Sequence, residues 1–476
     1  MPFSELNDHV LGEILAHFDI YHVLNFTQVD KRCRRSALSK QLWISLIRDL
    51  NSRGLRDSTA GESLEGYTTQ ELIEMAKYAA CGPKTWAPTS RTPPTLIREV
   101  SVLRDSQLAR TTPVHLLPGG RYLVGGRAPG LFAVWSVATA RLVWTYTEPW
   151  ILWSLAPLDE GDTIVVIFYR REPTQPQFLE LVEVDLDTGV SSLQTRVPLP
   201  TKYTSASSVH VRGDFLVVVS DGVTSLEALI INWRTEAFVR LQFPVGCRIA
   251  SWLVSGYLVV TQVDIDDALS CAVYCLDTLR WDSLTDLSDQ SADHEHLPVA
   301  SLRLPTELGE QVDCFATQPY RHPLRRGAFK IMTIVSLSRT ARLPSNSLKK
   351  LWGKIRRSDR DDNAAQTRAI VYSFILRPRE DCGDPLLGAL GISKIPQWHS
   401  FSLSFSGYVV YFPQLSGDRV VIFDTKPNGR GIKSKDGLRE VLSREHRMGF
   451  PPPMLGLYST ALILVEGNLV RILYYA

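Results

Sequence analysis

The side chains able to do covalent or metal chemistry are few, and they do not converge. Cys271 and Cys275 stand four apart on one face of an extended run, with no second pair at the spacing zinc requires, and they read as core. His294-Glu295-His296 could ligate a metal, but its acidic, Ser-rich setting reads as an exposed loop. Asp264-Ile265-Asp266-Asp267 lacks the glycine and the closing glutamate of a calcium loop. The sequence contains no Gly-Lys-Ser/Thr phosphate loop and no Gly-x-Ser-x-Gly elbow. We expect no cofactor, no metal and no enzymatic activity.

The side chains best placed to meet a partner are cations. Arg127, Arg170 and Arg171 fall in turns between apolar runs. A polar insertion, 338–368, carries Lys349, Lys350, Lys354, Arg356, Arg357 and Arg360 around Trp352. Basic groups with an aromatic among them suit phosphate or a nuclear import receptor, and such a stretch also reads as a solvated loop. Arg127, Arg170, Arg171, Lys349, Lys350, Arg356 and Arg357 are the candidate substrate-binding set. Asp264, Asp266 and Asp267 form an acidic counterpart. The formal net charge of +2 argues against general binding to nucleic acid or a membrane surface.

These residues need a frame, and a repeat supplies it. Short β-branched and aromatic runs end in a polar turn at Trp135–Thr139, Val184–Gly189, Ile231–Thr235, Tyr274–Thr278 and Ile422–Thr425. Asp and Thr can hydrogen-bond the turn backbone there. Another apolar run precedes each of them, and two weaker pairs are Phe329–Val335 with Ala369–Leu376 and Ala461–Val465 with Leu469–Tyr474. About seven such units predict a β-propeller over 96–476. The region is similar to degenerate WD-repeat propellers, without their Gly-His and Trp-Asp pairs. The run Ile97–Leu103 is expected to pair beside Leu469–Tyr474 and close the ring, removing an exposed edge.

The first 50 residues read differently. Val10, Leu11, Ile14, Leu15 and Phe18 share a helical face, and Asp8, Asp19, Asp30 and Ser39 can start successive short helices. So small a segment carries more large apolar side chains than its own core can cover. Leu6, Val10-Leu11, Ile14-Leu15, Phe18, Val23-Leu24, Val29, Lys31-Arg32, Arg34-Arg35, Ala37 and Leu42-Trp43 resemble the F-box in order and spacing. Asn7 stands where that family has proline, Asp30 where cysteine is common and Cys33 where tryptophan is common. The resemblance implies docking on the Skp-type adaptor of a cullin ubiquitin ligase. Leu6, Leu11, Ile14, Leu15, Leu24, Val29 and Trp43 would supply the docking surface or its support.

Residues 51–95 read as a linker. A capping box at Thr68 and Glu71 opens a spacer helix, 69–81, that Gly82 and Pro83 end. Pro88, Pro93 and Pro94 then suit a stiff strap, or the whole segment is a loose tether. Seven scattered cysteines suit a reducing compartment, and Met1–Glu5 shows no signal-peptide pattern, so cytoplasm and/or nucleus is expected. The fold class is thus a multidomain α plus all-β chain. Its expected role is the substrate-recognition subunit of an SCF-type ligase, with cullin and an unknown protein substrate as further partners. A non-ligase scaffold is the first rival. A propeller enzyme is the second, and it requires carboxylates or histidines converging in the central channel.

Overall fold

The structure is a computed structural model. It describes residues 6–57, 62–86, 90, 92–103, 114–127, 130–158, 162–170, 177–200, 203, 206–221, 226–287, 296–304, 310–339, 368–377, 386–395, 401–406, 408–411, 420–424, 438–442, 454–455, 458, 461–466 and 469–475.

Four short helices open the chain: α1 (Asp8–Ala16), α2 (Ile20–Phe26), α3 (Lys31–Ala37) and α4 (Lys40–Ser52). Their starts follow from side chains that accept otherwise unpaired backbone N–H groups. Asn7, not Asp8, caps α1: its extended backbone brings Oδ1 to 2.6 Å from the His9 amide, leaving Asp8 in the first turn. Asp19 accepts from His22 at 2.8 Å, and Asp30 accepts from Cys33 at 2.7 Å. Ser39 precedes α4 without a side-chain bond. The spacer helix α5 (Thr69–Cys81) carries the reciprocal Thr68–Glu71 box and ends at Gly82, φ +71°.

Beyond it the described strands form seven antiparallel sheets. Blades 1 to 6 span 114–146, 152–198, 206–243, 248–304, 310–395 and 401–442 in chain order. The seventh combines Met454–Leu455, Leu462–Glu466 and Leu469–Tyr475 with Leu96–Leu103. The first strands of neighbouring blades touch, so they form the inner ring of a β-propeller. Apolar residues fill the gaps between blades. Val165, Leu181, Leu216 and Ile231 join blades 2 and 3, and Val217, Ile230, Leu258 and Val260 join blades 3 and 4. One connection strays: Asp282–Ser283, inside blade 4, adds a fifth strand to blade 3.

The ring closes as expected. Leu96–Leu103 pairs antiparallel with Leu469–Tyr475, Val100 opposite Ile472 and Val102 opposite Val470. Arg471 grips Glu99 across the seam at 2.6 Å.

The helices sit on the rim formed by the hairpins between first and second strands of the blades. The Tyr21 amide donates to the Leu324 carbonyl at 2.9 Å, and Arg326 pairs with Asp49 at 3.0 Å. Gly54, φ +65°, lies against Pro118 of blade 1, where a Cβ would meet the proline at 2.9 Å. Tyr78 of α5 donates to the Tyr475 carbonyl at 2.7 Å, and Trp86 packs on the Tyr475 ring. The linker is therefore held against the seam and is not a loose tether. One apolar core runs from Leu15, Trp43, Ile47 and Leu50 into Tyr320, Met332, Phe405 and Tyr458 of the ring.

Val102→Asp places a carboxylate at a fully buried seam position and should lower unfolding stability by about 3 kcal/mol or more in urea melts. His322, on the hairpin that meets the helices, accepts from the Leu324 amide at 3.2 Å, and burial lowers its pKa to about 4. An unfolded histidine titrates near ~6.5. The folded chain binds fewer protons between those values, so this contribution is intact above pH 6.5 and is lost as pH falls toward 4. His322→Asn keeps an acceptor without a titrating ring. It should flatten the dependence between pH 7 and 4.5 by up to about 3 kcal/mol.

Candidate functional site

The helical module has an inner and an outer face. Leu11 and Leu15 of α1, Ile20 and Val23 of α2, and Trp43, Ile47 and Leu50 of α4 are buried. Trp43 is fully enclosed and its Nε1 donates to the Ala37 carbonyl at 2.9 Å. One position before each of the α1 pair, Val10 and Ile14 turn outward at four-residue spacing, and Phe18 follows at the same interval. Val10 is 43% exposed, Phe18 41%, Tyr21 38% and Val29 66%. Leu6, Ile14, Leu24 and Phe26 are half-buried.

The seven residues that the F-box resemblance singles out therefore divide. Leu11, Leu15 and Trp43 are internal support, Leu6, Ile14 and Leu24 lie at the boundary, and Val29 is open. Val10, Phe18 and Tyr21 are open without having been singled out. Helical register carries the signal for the first two, since they lie four residues either side of Ile14. Cys33 is buried, and that burial pushes its thiol up. Charges border the face. Arg32 pairs with Asp8 at 2.8 Å and reaches the Leu6 carbonyl, while Lys31, Arg34 and Arg35 are exposed. Arg325 of the ring lies 4.0 Å above Tyr21. The Asn25 side chain, and then that cation, hold the Tyr21 phenol below its usual range.

The opposite rim carries the turns between second and third strands, where the basic set was expected. Arg127 ends its strand, Tyr122–Arg127, at that rim. Arg171, Lys349, Lys350, Arg356 and Arg357, with Trp352 and most of the 338–368 insertion, lie outside the described residues, as do His294 and Glu295. Arg170 departs from expectation. The strand runs through it, pairing it with Phe178, so the side chain enters the sheet face instead of a loop. It is buried, 3.1 Å from Glu180 and 3.2 Å from Glu148, and is not available to a substrate. The Asp264 carboxylate is occupied by its own turn, accepting from the Asp266 and Ala268 amides.

The central channel encloses about 540 Å³. His115 and His210 line it, and His210 lies 4.3 Å from the Trp252 ring with its pKa lowered by burial to about 4. No carboxylate lines this channel among the described residues. No three His, Cys, Asp or Glu side chains gather as metal ligands among the described residues. Cys271 is buried, its thiol pushed up to about 12 by that burial, and both Cys271 and Cys275 are free thiols. The acid–base convergence that a propeller enzyme requires is not formed by these groups.

Glu180→Ala would leave the buried Arg170 with only the exposed Glu148 carboxylate as counter-charge and should cost about 3 kcal/mol. The double change to Arg170→Met with Glu180→Leu should recover most of that loss in the same denaturation assay.

No family model matches the sequence, and no curated protein matches it. Solved propellers are similar in outline. The Cps50 (Swd1) β-propeller domain of Myceliophteria thermophila is 11% identical, with a TM-score of 0.43, covering 81% of this chain and 100% of that one. The WD40 domain of SCAP from fission yeast is 10% identical, with a TM-score of 0.36, covering 82% of this chain and 97% of that one.

Proposed function

We propose that this chain is a substrate receptor of a cullin-type ubiquitin ligase. The helical module docks on a Skp-type adaptor, and the propeller holds a protein substrate. The observation that carries this reading is the outer face of Val10, Phe18, Tyr21 and Val29, left open with Ile14 half-buried at its edge, although the inner face of the same helices is sealed in the shared core. A row of large apolar side chains at helical spacing, with cations at its edge, fits a partner that buries them and presents acidic groups around them. The F-box resemblance names that partner. The chain makes and breaks no bond in this role. Its contribution is proximity, holding a substrate near a ubiquitin-charged enzyme.

The two rims suit the two tasks. In an antiparallel blade, successive turns alternate between the ends of the sheet. The helices occupy the rim of first turns, including the one from His322 to Ala328. The rim of second turns, with Arg127 and the 338–368 insertion, is the one we assign to the substrate. A shared-core joint fixes the direction in which substrate points relative to the adaptor.

The test uses surface substitutions, because removing the helices would open the shared core. Val10→Asp with Val29→Asp in the full chain should abolish co-purification of a Skp-type adaptor while the melting temperature stays near that of the parent. Val190→Asp, at a position 67% exposed on blade 2, should leave capture intact. Undiminished capture by the first variant would overturn the proposal. Capture of the adaptor without any ubiquitinated protein accumulating would replace it with the scaffold reading.

A further inference from the structure

Where the helical module meets the ring, three arginines from three elements face one space. Arg53 follows the end of α4. Arg212 ends the innermost strand of blade 3, Ala206–Arg212, and Arg321 ends that of blade 5, Glu310–Arg321. All three line both the channel and a second cavity of about 410 Å³ that opens beside the helices.

Among the described residues, their counter-charges are missing or already engaged. Arg53 pairs with Asp49 at 2.9 Å and donates to the Pro323 carbonyl at 3.3 Å. Asp49 is shared with Arg326, and Asp214, at the cavity edge, is held by Arg234. Among the described residues, the guanidinium groups of Arg212 and Arg321 have no hydrogen-bond acceptor and no ion-pair partner. Arg212 has only the Phe329 ring, 5.5 Å away. Tyr458 completes the set. Its hydroxyl accepts from the Arg321 amide at 2.6 Å and has no acceptor of its own among the described residues. Burial first, and then the nearby Arg321, bring Arg212 down to about 10, so it remains a cation at neutral pH.

Like charges held together in a partly dehydrated space are unfavourable unless something anionic joins them. Guanidinium groups arriving from several directions match the oxygens of a phosphate better than those of a planar carboxylate. The space is that of a small-ligand pocket. We propose that Arg212 and Arg321, with the Tyr458 hydroxyl and Arg53 at the edge, bind a small phosphate-bearing anion. Because Arg53 belongs to the helical module and the others to the ring, the bound anion clasps the two together. This is independent of adaptor docking, which uses the outer face of the helices.

The experiment uses the full chain, with pyrophosphate as probe and chloride at matched ionic strength as reference. Pyrophosphate should raise the melting temperature and bind by calorimetry at one per chain, more tightly than orthophosphate. Arg212→Gln and Arg321→Gln should each weaken binding about tenfold or more. In chloride alone both variants should melt at or above the parent, since mutual repulsion is relieved. This readout separates loss of a site from loss of the fold. Arg141→Gln, at an exposed position of blade 1 that lines neither cavity, should retain pyrophosphate binding. The proposal is overturned by no heat and no thermal shift in the parent, by unchanged affinity in the Arg212→Gln/Arg321→Gln double variant, or by a lower melting temperature of that variant in chloride.

Discussion

The ring holds together because its last blade is built from both ends of the propeller. Each blade leans on its neighbours, so a missing outer strand would leave Leu469–Tyr475 with open backbone donors and acceptors. Leu96–Leu103 fills that place, and the Arg471 guanidinium fixes its register by spanning Glu99 and Glu466. The pairing brings together residues as distant as Glu99 and Arg471, 372 positions apart, which makes it the slowest contact to find by chance. It also brings the spacer helix to the seam, because the residues just before Leu96 must arrive there.

That arrival explains why the helical module is not an appended domain. Tyr78 and Trp86 reach Tyr475 from the linker side, while Tyr21 and Arg53 reach the turn after Arg321 from the bundle side. Two attachments at separate points on a rim resist both hinge and twist. The bundle itself is too small to bury Trp43, Leu46, Ile47 and Leu50 unaided, and the shared core with Tyr320, Phe405 and Tyr458 completes that burial. An excess of apolar residues in the first 50 positions thus has two destinations, and the ring takes one of them.

Much of this was legible in the sequence, for a definite reason. The second and third strands of a blade are covered on both faces, so Ile164–Tyr169 and Ala228–Ile231 read as unbroken apolar runs. The turn after the third strand repeats because Asp185 and Asn232 each accept from two following amides. Apart from Leu96–Leu103, first and fourth strands stayed hidden. Ser191–Pro198 is exposed along nearly its whole length, with Val197 its one buried residue, and Ala206–Arg212 alternates toward the channel. No local pattern distinguishes such strands from a loop. The arginine cluster was equally invisible, since Arg53, Arg212 and Arg321 meet only through the closed ring. Arg170 is misleading in the sequence because it directly follows the apolar run and precedes Arg171 and Glu172, yet strand pairing continues through it and carries its side chain from rim to interior.

The functional division of the molecule follows from the alternation of its turns. A module fastened to one end of the ring cannot cover the other end, and that second rim is the one we propose for the substrate. The inner and outer faces of α1 obey the same economy at smaller scale. Leu11 and Leu15 share a seam one residue removed from Val10 and Ile14, and a turn of 100° per residue places the first pair inward, Val10 in the open and Ile14 at the boundary. Sealing one pair against the ring fixes the helix, and a fixed helix presents the other pair in a constant pose. An apolar surface held still in this way loses little entropy when a partner covers it. The rigid joint therefore matters to recognition as well as to stability, and an anion bridging Arg53 to Arg212 and Arg321 would act on both.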